Sequence, residues 1–363
     1  MTADKWPNPA RLHGAAGGFS ASADGASVHH WPDHEPHTRT YAALDLGTNN
    51  CRLLVARPSS SGFRVVDAFS RIVRLGEGLG TTGRLGDAAM ERAIAALKIC
   101  QAKMQARHVA RSRLITTEAC RAASNGAEFV AMVSAQAGLD LEVIDQGTEA
   151  RLAVSGCASL ADPRAEGVIV FDIGGGSTEI IWMAGRGMAA DPVGHIREWA
   201  SLPIGVVSLA ERFGGVHVDR EVFEKMVTES SEALGPFIAK AAGAPHAENF
   251  HLLGTSGTVT TLAGVYLGLE RYDRRQVDGL WMHDDDVGKI MTRLIDMDYE
   301  ARVANACIGR ERADLVLAGC AIFEAIRRAF PSPRVRIADR GLREGILIRM
   351  MQEDGVLLPG RTR

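Results

Sequence analysis

Two short apolar runs, Val168 to Phe171 and Ile180 to Met183, flank the polar, glycine-rich octet Asp172-Ile-Gly-Gly-Gly-Ser-Thr-Glu179. Runs of strand-forming residues bounded by turn residues read as β-strands, so the stretch predicts a hairpin. The same pattern occurs once more, over residues 43 to 55: apolar strand, Asp-x-Gly, a small polar turn, apolar strand. Asp45, Gly47 and Asn50 correspond to Asp172, Gly174 and Ser177 at an offset of 127 residues (Asp45 to Asp172), about one domain length. The repeat predicts two α/β domains facing each other across a cleft, each contributing one turn.

The pattern between the hairpins agrees. Arg64 to Phe69 and Arg71 to Leu75 read as strands, and Gly76 to Gly80 as a loop. Asp87 is placed to cap a helix whose apolar positions Met90, Ile94, Leu97, Cys100 and Met104 recur every three or four residues. Leu114 to Thr117 predicts a strand, Glu118 to Asn125 a turn into a helix ending near Gly138, and Leu141 to Ile144 another strand. Thr148 then caps a helix that begins with Glu149 and runs to about Leu160.

Asp162-Pro163 marks a boundary. Beyond the second hairpin, Val206 to Phe213 is helical, and a long helix from Asp219 is expected to break near Gly235-Pro236. His251 to Thr258 reads as strand, glycine loop and helix start. Asp284 to Asp286 head a helix, Glu311 to Phe330 forms another, Val335 to Ala338 is a strand, and Gly341 to Gln352 the last helix. The expected organisation is a tail over 1–40, a first domain over 41–162 and a second over 163–363, with the last helix packing back on the first. The fold class is α/β.

At 363 residues with 46% apolar and 23% charged residues, the chain has ordinary globular composition and more length than one core needs. A formal net charge of −3 and 6% aromatic residues give nucleic acid no general attraction and no stacking surface. Any anion site must be built locally. Cys51, Cys100, Cys120, Cys157, Cys307 and Cys320 are scattered without metal-ligand spacing and read as reduced core residues. No apolar run is long enough to span a membrane and no secretory core precedes the fold, so a cytoplasmic protein is expected. His29, His30, His34 and His37 fall in the tail and read as solvated.

Three glycines in a row, at 174 to 176, free the backbone for positive φ and let N–H groups converge on one point, which suits a phosphate. Ser177 and Thr178 add hydroxyl donors, while Asp172 and Glu179 are candidates to hold a metal ion. His251-Leu-Leu-Gly254-Thr255-Ser256-Gly257 ends at a helix N-terminus, a third candidate phosphate contact. Glu149 on its own reads as a first-turn helix charge, and Arg121 equally as a surface arginine. Arg271, Arg274 and Arg275, with Arg327, Arg328, Arg334 and Arg336, read as solvated faces or as a rail for a long polyanion.

Taken in order, Asp45-Leu-Gly-Thr-Asn-Asn-Cys-Arg52, Thr117-Glu-Ala-Cys-Arg121-Ala-Ala-Ser-Asn125, Gly147-Thr-Glu149-Ala-Arg151, Asp172 to Glu179, Leu202-Pro-Ile-Gly205, Gly254-Thr-Ser-Gly257-Thr258, Arg312-Ala-Asp314 and Gly341-Leu-Arg-Glu-Gly345 resemble the exopolyphosphatase / guanosine pentaphosphate phosphohydrolase (Ppx/GppA) family. The resemblance spans about residues 41 to 352 and matches the short form, which lacks a C-terminal HD-like domain. It implies two ribonuclease-H-like domains of the actin/sugar-kinase superfamily and Mg2+-dependent hydrolysis of terminal phosphoanhydrides. It also implies a catalytic carboxylate at Glu149 and a phosphate-binding arginine at Arg121.

Gly47, Thr48, Asn49, Asn50 and Arg52, with Gly174, Gly175, Gly176, Ser177 and Thr178, and with Gly254, Thr255, Ser256 and Gly257, are then expected to bind phosphate, and Asp45, Asp172 and Glu179 to hold Mg2+. Two departures stand out: Thr-Asn-Asn replaces Ser-Asn-Ser in the first turn, and one acidic residue, not two, precedes Ala150. The substrates implied are inorganic polyphosphate or guanosine pentaphosphate, and homodimers are usual among such proteins. A non-hydrolytic sensor of guanosine tetraphosphate or polyphosphate is the alternative of another class. A sugar kinase is disfavoured because no catalytic Asp for a sugar hydroxyl can be placed.

Overall fold

The computed structural model describes residues 39–60 and 62–357; the histidines of the N-terminal segment lie outside that range. Among the described residues, eleven strands form two sheets. The first contains β1 (Tyr41–Leu46), β2 (Asn50–Ser59), β3 (Gly62–Ile72), β4 (Arg111–Thr116) and β5 (Glu142–Val143), in the order β3-β2-β1-β4-β5. The second contains β6 (Gly167–Ile173), β7 (Thr178–Ala184), β8 (Ile196–Leu202), β9 (His251–Thr255), β10 (Trp281–His283) and β11 (Arg334–Ala338), in the order β10-β11-β9-β6-β7-β8. Each sheet starts with a three-stranded antiparallel meander and continues with parallel strands, and β10 is an antiparallel addition to the second. The duplication read from the hairpins is therefore topological as well.

Each sheet is apolar on both faces. Helices Asp87–Ala106 and Gly126–Ala137 cover one face of the first sheet, burying Met90, Ile94, Leu97, Cys100 and Met104 as the periodicity demands. Helices Arg220–Lys240, Gly257–Tyr266 and Val316–Ala329 cover the outer face of the second. Between the sheets lies helix Gln146–Cys157. Its Leu152 joins the core of the first sheet, while Ala150, Val154 and Cys157 join that of the second. The last helix, Leu342–Glu353, leaves the second sheet and packs on the first through Ile346, Leu347 and Met350 against Tyr41, Ala43 and Leu54. Arg111 and the Tyr41 hydroxyl anchor its end by donating to Asp354 at 2.6 and 2.7 Å.

Several local expectations are corrected. Arg64 to Leu75 is not two strands: β3 is one strand ending at Ile72, and Arg74 turns the chain with φ 48. Asp87 is the first residue of its helix, Gly86 being the cap. Asp145, not Thr148, caps the helix bearing Glu149, accepting from the Thr148 backbone N–H at 2.7 Å and its hydroxyl at 2.8 Å. Helix Arg220–Lys240 runs straight through Pro236, because buried Leu234 and Phe237 bind that turn to the core, outweighing the missing N–H. The helix expected from Glu311 starts only at Val316, and β10 gave no signal in its three residues. All six cysteines are buried and unpaired by disulfides. Among the described residues, no helix is long and apolar enough to cross a membrane.

Candidate active site

The two hairpin turns meet. Gly47 N–H donates to the Asn50 carbonyl at 2.9 Å, and Gly174 N–H to the Ser177 carbonyl at 2.9 Å, so the turns share one geometry at the offset of their sequences. The carbonyls of both turns are drawn away into the fold: Thr48 O accepts from Gly76, Asn49 O from Val73 and Arg74, Gly174 O from Val206, and Gly175 O from Val207. Among the described residues, the N–H groups of Thr48, Asn49, Gly175 and Gly176 donate to no acceptor. Peptides whose carbonyls are fixed in this way present donors without reorganisation, the property an anion cradle needs.

The glycines serve closeness rather than handedness. Gly174, Gly175 and Gly176 are not among the residues with positive φ, against expectation. Instead, a Cβ on Gly175 would stand 3.0 Å from Thr48 Cβ and 3.1 Å from Asn49 N, and one on Gly176 would stand 2.9 Å from Thr48 Oγ1. Any side chain here would push the two turns apart.

A cavity of about 140 Å³ lies beside this junction. Its wall includes Gly47 to Asn50, Arg52, Gly174 to Ser177 and Thr255 to Gly257, together with Asp45, Asp172, Glu179 and Glu149. Three expected residues stand elsewhere. Thr178 is fully buried and donates to the Ile204 carbonyl at 2.7 Å. Gly254 is a packing glycine, its Cβ position 2.5 Å from the Phe171 ring. Arg121 stands behind Glu149, not on the wall: Nη1 donates to Glu149 Oε2 at 2.9 Å and to the Ile144 carbonyl at 2.7 Å, while Nε and Nη2 donate to Glu118. Every nitrogen of that guanidinium is used, so it orients the carboxylate.

Glu149, 9% exposed, sits in the first turn of the helix between the sheets. The helix end favours its anion, but burial, then Glu179, hold its pKa well above the ordinary carboxylate range against the pull of Arg121. Burial likewise raises Asp45, lifts Asp172 to about 6 and lifts Glu179 to about 7, the last reinforced by Asp172. Glu179 is also fixed by the Ser177 and Ser201 hydroxyls at 2.9 and 2.8 Å.

Cations complete the wall. Arg52, Arg312 and Arg343 line it and form no ion pair among the described residues; Arg312 donates only to the Thr261 hydroxyl, at 3.4 Å. Arg312 and Arg343 were missed as site residues, although their motifs were noted. Arg343 reaches the cleft only because the last helix returns across it.

The arginines weighed as a polymer rail are mostly neutralised: Arg274 by Glu344 and Asp339, Arg275 by Asp273, Arg327 by Asp284 and Glu324, Arg328 by Glu224 and Glu324, and Arg334 by Asp162. Asp284, Asp285 and Asp286 head their helix, with Asp284 and Asp286 committed to Arg327 and Lys289.

The donor set can be tested against a divalent cation. Among the described residues, no three His, Cys, Asp or Glu side chains stand close enough to hold a metal ion alone, so Asp45, Asp172 and Glu179 do not form a closed ligand set. They suit Mg2+ in its usual form, which keeps several waters and takes one or two carboxylates plus substrate oxygens. Burial raises their proton affinity, and neighbouring carboxylates add to it, against the pull of Arg52 and Arg343 on Asp45 and Asp172.

Comparison with known proteins agrees with this geometry. Residues 54–354 match the Ppx/GppA phosphatase family. The chain is 30% identical over 299 residues to exopolyphosphatase 2 of Mycobacterium tuberculosis, spanning 79% of this chain and 89% of that one. The crystal structure of an Aquifex aeolicus Ppx/GppA family member superposes with a TM-score of 0.70 at 29% identity, covering 87% of this chain and 98% of that one. An exopolyphosphatase from Cytophaga hutchinsonii does so with a TM-score of 0.77 at 25% identity, over 87% and 98% of the two chains. The fold is thus the paired ribonuclease-H-like α/β plan, and this chain belongs to the Ppx/GppA phosphatase family.

Proposed function

We propose that the protein is an exopolyphosphatase, hydrolysing the terminal phosphoanhydride bond of inorganic polyphosphate to release orthophosphate. The observation that carries this reading is a single cavity holding four unengaged backbone N–H groups, three unpaired arginines and the buried Glu149. Phosphoryl transfer needs those three elements: donors for the equatorial oxygens, positive charge for the leaving phosphate and an oriented water. The N–H groups of Thr48, Asn49, Gly175 and Gly176 hold the terminal phosphoryl group. Arg52, Arg312 and Arg343 take the next phosphates, and Glu149, aimed by Arg121, accepts a proton from the attacking water. The ionised form of a carboxyl group with raised pKa is the stronger base, and this favours that role.

Asp45, Asp172 and Glu179 would hold Mg2+, which would supply Lewis-acid neutralisation of the phosphate oxygens. The cytoplasm, where such substrates occur with reduced thiols, is the expected location, and homodimerisation belongs to the same reading.

Guanosine pentaphosphate 5′-phosphohydrolase activity would use the same atoms. Among the described residues no aromatic side chain lines the cavity, which leaves a purine nothing to stack on and favours polyphosphate. The deciding experiment measures orthophosphate release from long-chain polyphosphate and from guanosine pentaphosphate, with and without Mg2+. Faster release from polyphosphate is expected. Preference for guanosine pentaphosphate reverses the assignment, and tight binding without release from either substrate makes the protein a sensor.

The carboxylates also set a pH dependence. Asp172 and Glu179 bind protons more tightly folded, at about 6 and 7, than unfolded, at roughly 3.9 and 4.3. Their contribution to stability is present in full at low pH and lost as pH rises through the folded values. Without Mg2+, the melting temperature is expected to fall between about pH 4 and pH 7, and saturating Mg2+ to reduce the fall. A profile with the same slope in both conditions would remove these residues from the cation site.

A further inference from the structure

Of the arginines first weighed as a rail, Arg336 stands apart. It forms no hydrogen bond or ion pair among the described residues, and its Nε is buried without an acceptor. Its guanidinium lies 4.8 Å from the ring centre of Trp281, its cross-strand partner between β11 and β10, and Arg334 lies 4.1 Å from the same ring. The edge of the indole meets the imidazole of His251 at 5.0 Å. His251 is 0% exposed and its Nδ1 donates to the Asn249 carbonyl at 3.4 Å, so its Nε2 is an acceptor and takes no part in holding an anion. One guanidinium without an ion pair over an aromatic platform, its Nε buried without an acceptor and the nearby acids engaged by Arg334, Arg164 and Arg340, describes a place prepared for an anion.

The acids nearby form no ion pair with Arg336. Asp162 accepts from Arg164 and from Arg334 at 2.6 Å, and Asp278 is held by Arg340. Burial, with Arg334 and Arg340 close by, lowers the pKa of Arg336 despite these acids. A half-buried guanidinium without a hydrogen-bond acceptor is unfavourable, and a phosphate oxygen would relieve it. The cluster lies on the chain segment that leads into the cleft wall. Arg340, two residues beyond β11, lines the cavity, and Arg336 lies four residues before it on the same strand, roughly 13 Å back at strand rise.

We propose that Arg336, on the Trp281 platform, forms a second phosphate-binding site that holds downstream phosphates of a polyphosphate chain whose terminal phosphate occupies the cleft. This rests on the exopolyphosphatase reading for its ligand, but not for its test. The arrangement makes affinity depend on chain length: a chain long enough to reach both places gains the second contact, and a short one does not.

The test uses the full chain. Arg336→Gln is expected to raise KM for long-chain polyphosphate about tenfold, as for loss of a hydrogen bond to a charged group, and to leave kcat/KM for tripolyphosphate unchanged. An unchanged KM for long chains overturns the proposal, as does an equal loss on tripolyphosphate, which would place Arg336 in the support of the cleft. Binding is read separately from hydrolysis in the Glu149→Gln variant by tryptophan fluorescence, with Trp281→Phe identifying the signal. Long chains are expected to change the Trp281 emission and tripolyphosphate not to. Absence of any Trp281 response to long chains overturns the proposal even where Arg336→Gln fails to fold. If the wild type releases no phosphate at all, the catalytic reading fails while the fluorescence titration still decides this one.

Discussion

Glu149→Gln is expected to lower kcat for phosphate release on the order of 10²- to 10⁴-fold while leaving substrate affinity near its wild-type value. Glutamine keeps the shape and can still accept from Arg121, so the guanidinium stays anchored through Glu118 and the Ile144 carbonyl. Glutamine cannot accept the proton of the attacking water. The substitution also removes a buried carboxylate whose burial, and whose proximity to Glu179, disfavour its charge, so the fold should be no less stable at neutral pH. In the wild type the acid limb of the pH–rate profile should lie above the ordinary carboxylate range, since protonated Glu149 is no base. Single-turnover phosphate release with an equilibrium binding measurement separates the two effects. A variant within threefold of wild-type kcat would dismiss Glu149 as the base.

Gly345→Ala is the second large effect, and it runs against helix propensity. Alanine in a helix interior is ordinarily worth about 1 kcal/mol over glycine. At Gly345 the added Cβ would lie 1.9 Å from the Leu152 carbonyl oxygen and 2.8 Å from its carbon, across the crossing of the last helix with the helix that bears Glu149. Gly156 answers from the other side, its Cβ position 1.9 Å from the Gly341 carbonyl oxygen. Two backbones this close have no flexible atom to yield, so the helices must separate.

Overpacking of this kind costs about 1–3 kcal/mol, and the displacement carries Glu149 away from the turns. A misplacement of about 1 Å is enough for a 10²-fold loss of rate. A lower urea midpoint together with lower kcat is the expected pair of results. Gly288→Ala, in helix Asp284–Asp296 where the new Cβ would meet Arg327 at an ordinary 3.7 Å, is the control and should be neutral or stabilising. If Gly345→Ala behaved like that control, the crossing would not be what positions Glu149.

Much of the site was legible locally. Asp-x-Gly between two apolar runs determines a hairpin wherever it falls, and its recurrence after 127 residues (Asp45 to Asp172) pointed to two such hairpins in two sheets of one topology. Periodicity placed the helix of Met90 to Met104 because one face had to be buried. Local pattern was enough to place the two turns, whereas Glu149 by its spacing read as a first-turn helix charge and came forward only through the family resemblance.

What the chain pattern left undecided depends on atoms distant in sequence. That Gly175 and Gly176 are needed for contact with Thr48, and not for positive φ, emerges only when two turns a domain apart are brought together. Arg121 faces Glu149 because the strand–helix junction at Ile144 and the helix from Gln146 converge on it. Helix Arg220–Lys240 passes its proline because tertiary burial exceeds a local penalty. Sequence alone determined which segments carry donors and charge, since spacing and residue type are local properties. Only the tertiary structure decided which of them face one cavity, because close approach of backbone to backbone is set by packing between elements that no local pattern records.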